Sequence, residues 1–199
     1  MASNSAASKG RLVALEGAAG PELVPSGKRL LDQLLRGRDE GGVSSFDASG
    51  IFFELRKGDK EIPQPSPRTL VLLYAADLMF RLRWEIRPAL EEGMLVVAAP
   101  YVDTGIAFGK AAGLPKRWLV ELFSFAPRAE QVYRLKEKRE ISGWKFKRSQ
   151  GYLEFCCKTL IASSPAWHPE ELRERLLGYL DALERRGGCQ TATEKILGR

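Results

Sequence analysis

Apolar positions along the chain fall into two patterns. Short unbroken runs at residues 12–15 (Leu-Val-Ala-Leu) and 94–98 (Met-Leu-Val-Val-Ala) predict strands covered on both faces, because neither run alternates with polar residues. The first run stops at Glu16-Gly17, a glycine turn, and Gln131–Leu135 supplies a further strand pattern. The second pattern has helical spacing. Leu30, Leu31, Leu34 and Leu35 form one stripe over 26–36, with Ser26 as the expected N-cap and Gly37 as the stop. A long amphipathic helix is predicted over 68–92, following the proline-rich loop 63–67 and ending at Gly93; Pro88 inside it predicts a kink or a turn near its end. Trp118, Leu119, Leu122 and Phe123 predict a helix within 115–125. Leu172, Leu176, Leu180 and Leu183 predict one that starts at Pro169 and stops at Gly187-Gly188. Tyr152, Phe155, Cys156, Thr159 and Leu160 fit a helix, while 159–162 equally fits a last strand. The Gly- and Ser-rich stretch 39–50 reads as a loop.

Strands alternating with helices imply an α/β fold, a parallel sheet flanked by helices on both faces. A ligand then belongs at the C-terminal ends of the strands, where Glu16-Gly17 and Ala99-Pro100 fall. The 199 residues support one domain, expected over 11–188, with a disordered Ser- and Ala-rich start at 1–10 and a tail at 189–199. The longest apolar run, 70–76, has seven residues. That is far short of the ~18 a membrane helix needs, so no membrane span is expected. The start of the chain has no apolar core behind Lys9 and does not read as a secretory leader. Three cysteines, two of them adjacent, make neither a disulfide framework nor a zinc pattern, and a single histidine, His168, argues against multi-imidazole metal sites and a Ser-His-Asp triad. A reduced cytoplasm is the expected compartment.

Charge sharpens the choice of ligand. With 31 basic and 25 acidic residues the chain carries a net +6, which favours anionic partners. The excess concentrates in 134–148, where seven basic residues face two acidic ones. Such a stretch contacts phosphates, of a nucleotide or a nucleic acid, or is a solvated face.

A strand, a glycine turn and a helix opening with Ser26-Gly27-Lys28 has the layout of a phosphate cradle: inward amides, a positive helix terminus and a lysine for the outer phosphates. The usual spacing places four residues between the glycines and a Ser or Thr after the lysine. Here six residues separate Gly20 from Gly27, Pro21 and Pro25 lie among them, and Arg29 follows Lys28. A capped helix with an unrelated lysine is the alternative reading.

Several blocks together resemble the thymidylate kinases, nucleoside-monophosphate kinases that phosphorylate dTMP with ATP. Residues 11–20 (RLVALEGAAG) resemble that family's first strand and the start of its phosphate loop. Residues 70–90 (LVLLYAADLMFRLRWEIRPAL) resemble its thymidylate-binding helix, and 94–109 (MLVVAAPYVDTGIAFG) the strand and turn that carry its Asp-Arg-Tyr motif. The resemblance runs over 11–125 and extends more weakly to 186. It implies a three-layer P-loop-kinase-like fold, ATP and magnesium as cofactors, and a homodimer formed through helices beside the substrate site. It also assigns Gly17, Gly20, Ser26, Gly27 and Lys28 to the phosphates, with Lys28 the catalytic residue. Tyr74, Asp77, Tyr101 and Asp103 fall to the substrate, and Arg139, Lys145 and Arg148 to a shortened basic lid at 136–149. Glu16 and Arg87 are also retained.

Departures from the family pattern are as informative. Residues 21–25 read as an insertion before Ser26-Gly27-Lys28, and Arg29 replaces the threonine that would bind magnesium. Asp-Arg-Tyr has become Ala99-Pro100-Tyr101, the arginine after Ala-Ala-Asp has become Leu78, and 46–50 replaces the segment that grips the monophosphate. Phosphoryl transfer depends on positioning and charge neutralisation, and each absent donor typically costs ~10²–10³ in rate. The expectation is a nucleotide-binding relative with weak or absent catalysis and no metal site of its own. A kinase with a rebuilt loop, and a basic module for nucleic acid or protein, are the alternatives. Tyr74 reads as a base platform or as core packing, Cys156-Cys157 as a buried helix face, His168 as a helix-start residue, and Trp144 as a stacking or anchoring group. Glu16 and Asp103 are the remaining acidic candidates for a metal.

Overall fold

The computed structural model describes residues 10–17, 20–35, 40–57, 65–135, 168–185 and 189–192. At its centre β1 (Arg11–Glu16) pairs in parallel with β3 (Leu95–Ala99) on one side and β4 (Gln131–Leu135) on the other. β2 (Gly41–Ser45) extends the sheet beyond β3 and β5 (Cys189–Ala192) beyond β4, giving the order β2-β3-β1-β4-β5 with every pair parallel.

The non-alternating strands are covered on both faces, as the sequence pattern requires. Leu12, Ala14, Val96 and Ala98 face one cluster with α3 (Pro67–Arg81), α5 (Val102–Ala111), α6 (Lys116–Leu122) and α7 (Pro169–Glu184). Val13, Leu15, Leu95, Val97 and Ala99 face the other, against Leu23, Leu30 and Leu31 of α1 (Gly20–Leu35). A short helix, α2 (Ile51–Lys57), follows β2. The helix predicted over 68–92 is present as α3, a π segment at Leu82–Ile86, and α4 (Arg87–Glu91). Pro88 has no N–H to give, and the strain falls just upstream, where the Arg87 amide reaches back five residues to the Leu82 carbonyl.

Four expectations are corrected. α1 starts at Gly20, not Ser26, so the supposed insertion 21–25 is helical and Ser26 caps nothing. Pro21 lies in the first turn, where no hydrogen bond is lost, and Pro25 removes one from an exposed flank. Part of the predicted loop 39–50 is β2, an edge strand whose Gly-Gly-Val-Ser-Ser offers no apolar run. Residues 102–109, read within 94–109 as part of a strand and turn, belong to the helix α5, whose buried Thr104, Gly105, Phe108 and Ala111 recur at helical spacing although two are small. The segment read as a tail contributes β5. The lid at 136–149, with Arg139, Trp144, Lys145 and Arg148, lies outside the described residues, as do 1–9, the helix or strand at 152–162 and Cys156-Cys157.

Candidate functional site

Beyond the C-terminal ends of β1, β2 and β3 lies a set of buried polar side chains. Glu16 ends β1 fully buried. Its carboxylate accepts the backbone amides of Tyr101 (3.2 Å), Asp103 (3.1 Å) and Thr104 (3.0 Å), and the Thr104 hydroxyl. Glu16 therefore caps the N-terminus of α5 from a neighbouring strand, satisfying amides a helix start leaves free. The Thr104 hydroxyl also accepts from the Gly17 amide at 3.2 Å, which ties the turn after β1 to the same helix. Burial, and then the nearby charge of Asp103, push the Glu16 carboxyl up to about 7, against the lowering effect of its donors.

Tyr74, on α3, is fully buried and donates its hydroxyl to the Tyr101 carbonyl at 2.5 Å. Its ring lies 6.4 Å from Phe46 with planes 25° apart, and 6.0 Å from Phe123 edge-on. Gly105 of α5 approaches so closely that a Cβ there would sit 2.7 Å from the Tyr74 ring. Burial and the Glu16 charge push the Tyr74 phenol well up, with the Arg81 charge acting the other way. Phe46 thus covers one face of the Tyr74 ring. Tyr101 donates its own hydroxyl to the Pro127 carbonyl at 2.7 Å, and burial raises its phenol likewise.

Asp77 is also fully buried. It accepts the amides of Asp47 (3.1 Å) and Ser49 (2.9 Å) and the Ser49 hydroxyl (2.8 Å), pinning the 46–50 loop to α3. Asp47 has φ 64°, and its Oδ1 accepts the Phe52 amide at 2.8 Å as α2 begins. One turn beyond Asp77, Arg81 is buried and donates to Ser44 twice: Nε to the hydroxyl at 2.9 Å and Nη2 to the carbonyl at 2.8 Å. The Ser44 hydroxyl in turn donates to Glu85 at 2.6 Å.

The structure brings Glu16, Tyr74, Asp77, Tyr101 and Asp103 together, and does not bring Ser26, Gly27 and Lys28 to them as a cradle. Gly20 is the first residue of α1. Lys28 lies eight residues further, about 12 Å along the axis, on an exposed flank. Gly27 faces the sheet, where a Cβ would lie 3.2 Å from Val43 and 3.4 Å from Ala99. Ser26 is buried and accepts from Arg29 at 3.0 Å. The first turn of α1 carries Glu22 instead of a cation. Arg81 escaped the sequence reading, yet the signal was there: it continues the buried stripe of Leu70, Tyr74, Asp77 and Leu78, a place where a charge needs a reason.

Curated relatives are thymidylate kinases. A probable thymidylate kinase of Pyrobaculum calidifontis is 33% identical over 86 residues, 38% of this chain and 45% of that protein. One of Pyrococcus abyssi is 41% identical over 59 residues, 30% of this chain and 29% of that protein, and one of Thermococcus kodakarensis 36% identical over 115 residues, 58% and 48% respectively. The chain spans less than half the length of each. The crystal structure of thymidylate kinase from Ehrlichia chaffeensis matches with a TM-score of 0.69 over 95% of both chains at 11% identity, a likeness of fold. No family model matches the chain.

Proposed function

We propose that this chain, thymidylate-kinase-like in sequence and fold, binds a nucleotide-type ligand at the ends of its strands without transferring a phosphoryl group. The observation that carries the reading is the start of α1 at Gly20. The amides of Ser26, Gly27 and Lys28 are then spent inside the helix, and Lys28 stands about 12 Å from the terminus where phosphates would gather. At that terminus Glu22 repels a phosphate.

The side chains at the strand ends do not fit magnesium. Arg29 replaces the hydroxyl ligand, and both Glu16 oxygens are already engaged by α5. Among the described residues no group of three His, Cys, Asp or Glu could hold a metal ion. The test is dTDP formation from ATP and dTMP with and without magnesium. We expect none above the enzyme-free blank. Magnesium-dependent turnover that Lys28→Ala abolishes would establish the working kinase instead.

Two further properties follow the same resemblance. No described helix is long and apolar enough to cross a membrane, and we assign the protein to the cytoplasm. We also assign a homodimer that covers the outer face of α3 and the π segment, where Leu72 (45% exposed), Met79 (56%) and Trp84 (62%) form an apolar stripe. Sedimentation of wild type as a dimer and of Trp84→Glu as a monomer is the expected result.

A further inference from the structure

The outer face of α3, the π segment and α4 carries a groove of about 510 Å³ whose far wall is Phe125. It shares no residue with the buried polar set around Glu16, Asp77 and Arg81. Phe80, Trp84 and Phe125 give it an aromatic lining over the buried Leu82, and Met79, Phe80 and Trp84 are all exposed. Exposed Met, Phe, Trp and Arg on one patch is the residue mix of an interface core, not of a solvated helix face. The charge of the groove is unbalanced. Arg83 and Arg87 stand one turn apart, where like charges repel, and the lining holds one acid, Glu91. None of these three has a partner at ion-pair distance among the described residues. Arg83 lies over the Trp84 ring, 5.2 Å from its centre, so cation and aromatic surface are presented together. The groove also sits where the helix widens, and π segments recur at functional sites.

We propose that this groove docks an acidic segment of a partner protein, with apolar or aromatic side chains against Phe80, Trp84 and Phe125 and carboxylates on Arg83 and Arg87. A carboxylate is the group that matches a guanidinium edge, and two of them relieve the repulsion between the arginines. A purely apolar partner would leave both arginines unpaired, and a flat lipid surface would leave the groove unfilled. Met79 and Trp84 also belong to the stripe assigned above to a second copy, so a docked segment and a second copy exclude each other. That competition is the one part of the proposal that rests on the homodimer reading.

The test is fluorescence anisotropy of a dye-labelled peptide, Glu-Glu-Phe-Glu-Glu-Leu, titrated with the full chain, and the same peptide with Lys for every Glu is the control. We expect saturable binding of the acidic peptide and none of the basic one. Arg83→Glu combined with Arg87→Glu should weaken the acidic peptide about tenfold or more, and Trp84→Ala about fivefold. Lys116→Glu combined with Arg117→Glu makes the same change of charge on α6 and should leave the affinity as it was. The basic peptide should bind the Arg83→Glu, Arg87→Glu variant, a gain that a misfolded variant could not show. Leu72→Gln lies outside the groove and weakens the assigned dimer without adding charge, so it should bind the acidic peptide as tightly as wild type or more tightly. No binding, equal binding of both peptides, an equal loss from the α6 charges, or loss of binding in Leu72→Gln overturns the proposal. A wild type that sediments as a monomer without peptide would overturn the homodimer reading and leave wild type and Leu72→Gln binding alike, so the two failures are separable.

Discussion

On the α1 side of the sheet, helix meets strand almost wholly through apolar contact: Leu23, Leu30 and Leu31 against Val13, Leu15 and Val97, with Gly27 pressed onto Val43 and Ala99. On the α3–α5 side, a similar apolar layer is interrupted near the strand ends by Glu16, Tyr74, Asp77 and Arg81, all buried and three of them ionisable to a charge at neutral pH. The difference teaches where this chain has kept polar specificity. The flank that carries Ser26, Gly27 and Lys28 is a plain packing surface. The flank that carries Tyr74 and Asp77 adds a polar network that caps α5 and pins the 46–50 loop.

The comparison breaks most visibly if the network proves dispensable. Asp77→Ala should cost about 3 kcal/mol in denaturant unfolding, because it strands the Asp47 and Ser49 amides and the Ser49 hydroxyl together. Glu16→Ala should cost about as much by uncapping α5, while Glu16→Gln, which keeps the size and an acceptor, should cost about 1 kcal/mol. Gly105→Ala sharpens the same point through packing. Its Cβ would meet the Tyr74 ring at 2.7 Å, and a Tyr74 held by both ring contacts and its hydroxyl cannot step aside, so about 2 kcal/mol should be lost.

Acidity offers a subtler probe. The folded-state carboxyl of Glu16 is raised from 4.5 to about 7, so the folded state holds its proton more tightly than the unfolded chain does. Wild type should therefore lose stability relative to Glu16→Gln as pH rises from about 4.5 to about 7, with no further change above that window. Urea unfolding of both proteins at intervals across the range reads the difference. At the small end, Lys28→Ala on the α1 flank should shift stability by about 0.5 kcal/mol or less, as for any exposed side chain away from special features. A large loss there would mean that the apolar flank is not plain.

The same contrast explains what the sequence could and could not show. β1 and β3 were legible because sheets covered on both faces demand unbroken apolar runs, and α3 and α7 because long helices repeat their buried stripe. β2 was hidden, since an edge strand of Gly, Val and Ser derives its identity from the β3 backbone beside it. α5 was hidden because its buried face includes Gly105 and Gly109, which add no apolar signal and let α5 approach Tyr74 and Leu119. The start of α1 was misplaced because two prolines look like breakers, although only Pro25 removes a hydrogen bond. At the site, the residue types of Glu16, Tyr74 and Asp77 were readable and their partners were not: each binds backbone atoms brought in from distant segments, which no local pattern encodes.

The π segment at Leu82–Ile86 fixes the length of the chain as firmly as any side chain fixes its packing. It amounts to one residue more than an α-helix would use over the same rise. Deleting a residue there would fuse α3 and α4 into a single even helix and leave everything downstream at the same phase. Ala89 and Leu90 would keep their lean on the core, but Pro88 would lose the widened turn that accommodates its ring. Replacing Pro88 alone would leave the extra residue with nothing to accommodate. The surplus residue and the proline form a matched pair, so a viable shortening of this helix has to remove both at once.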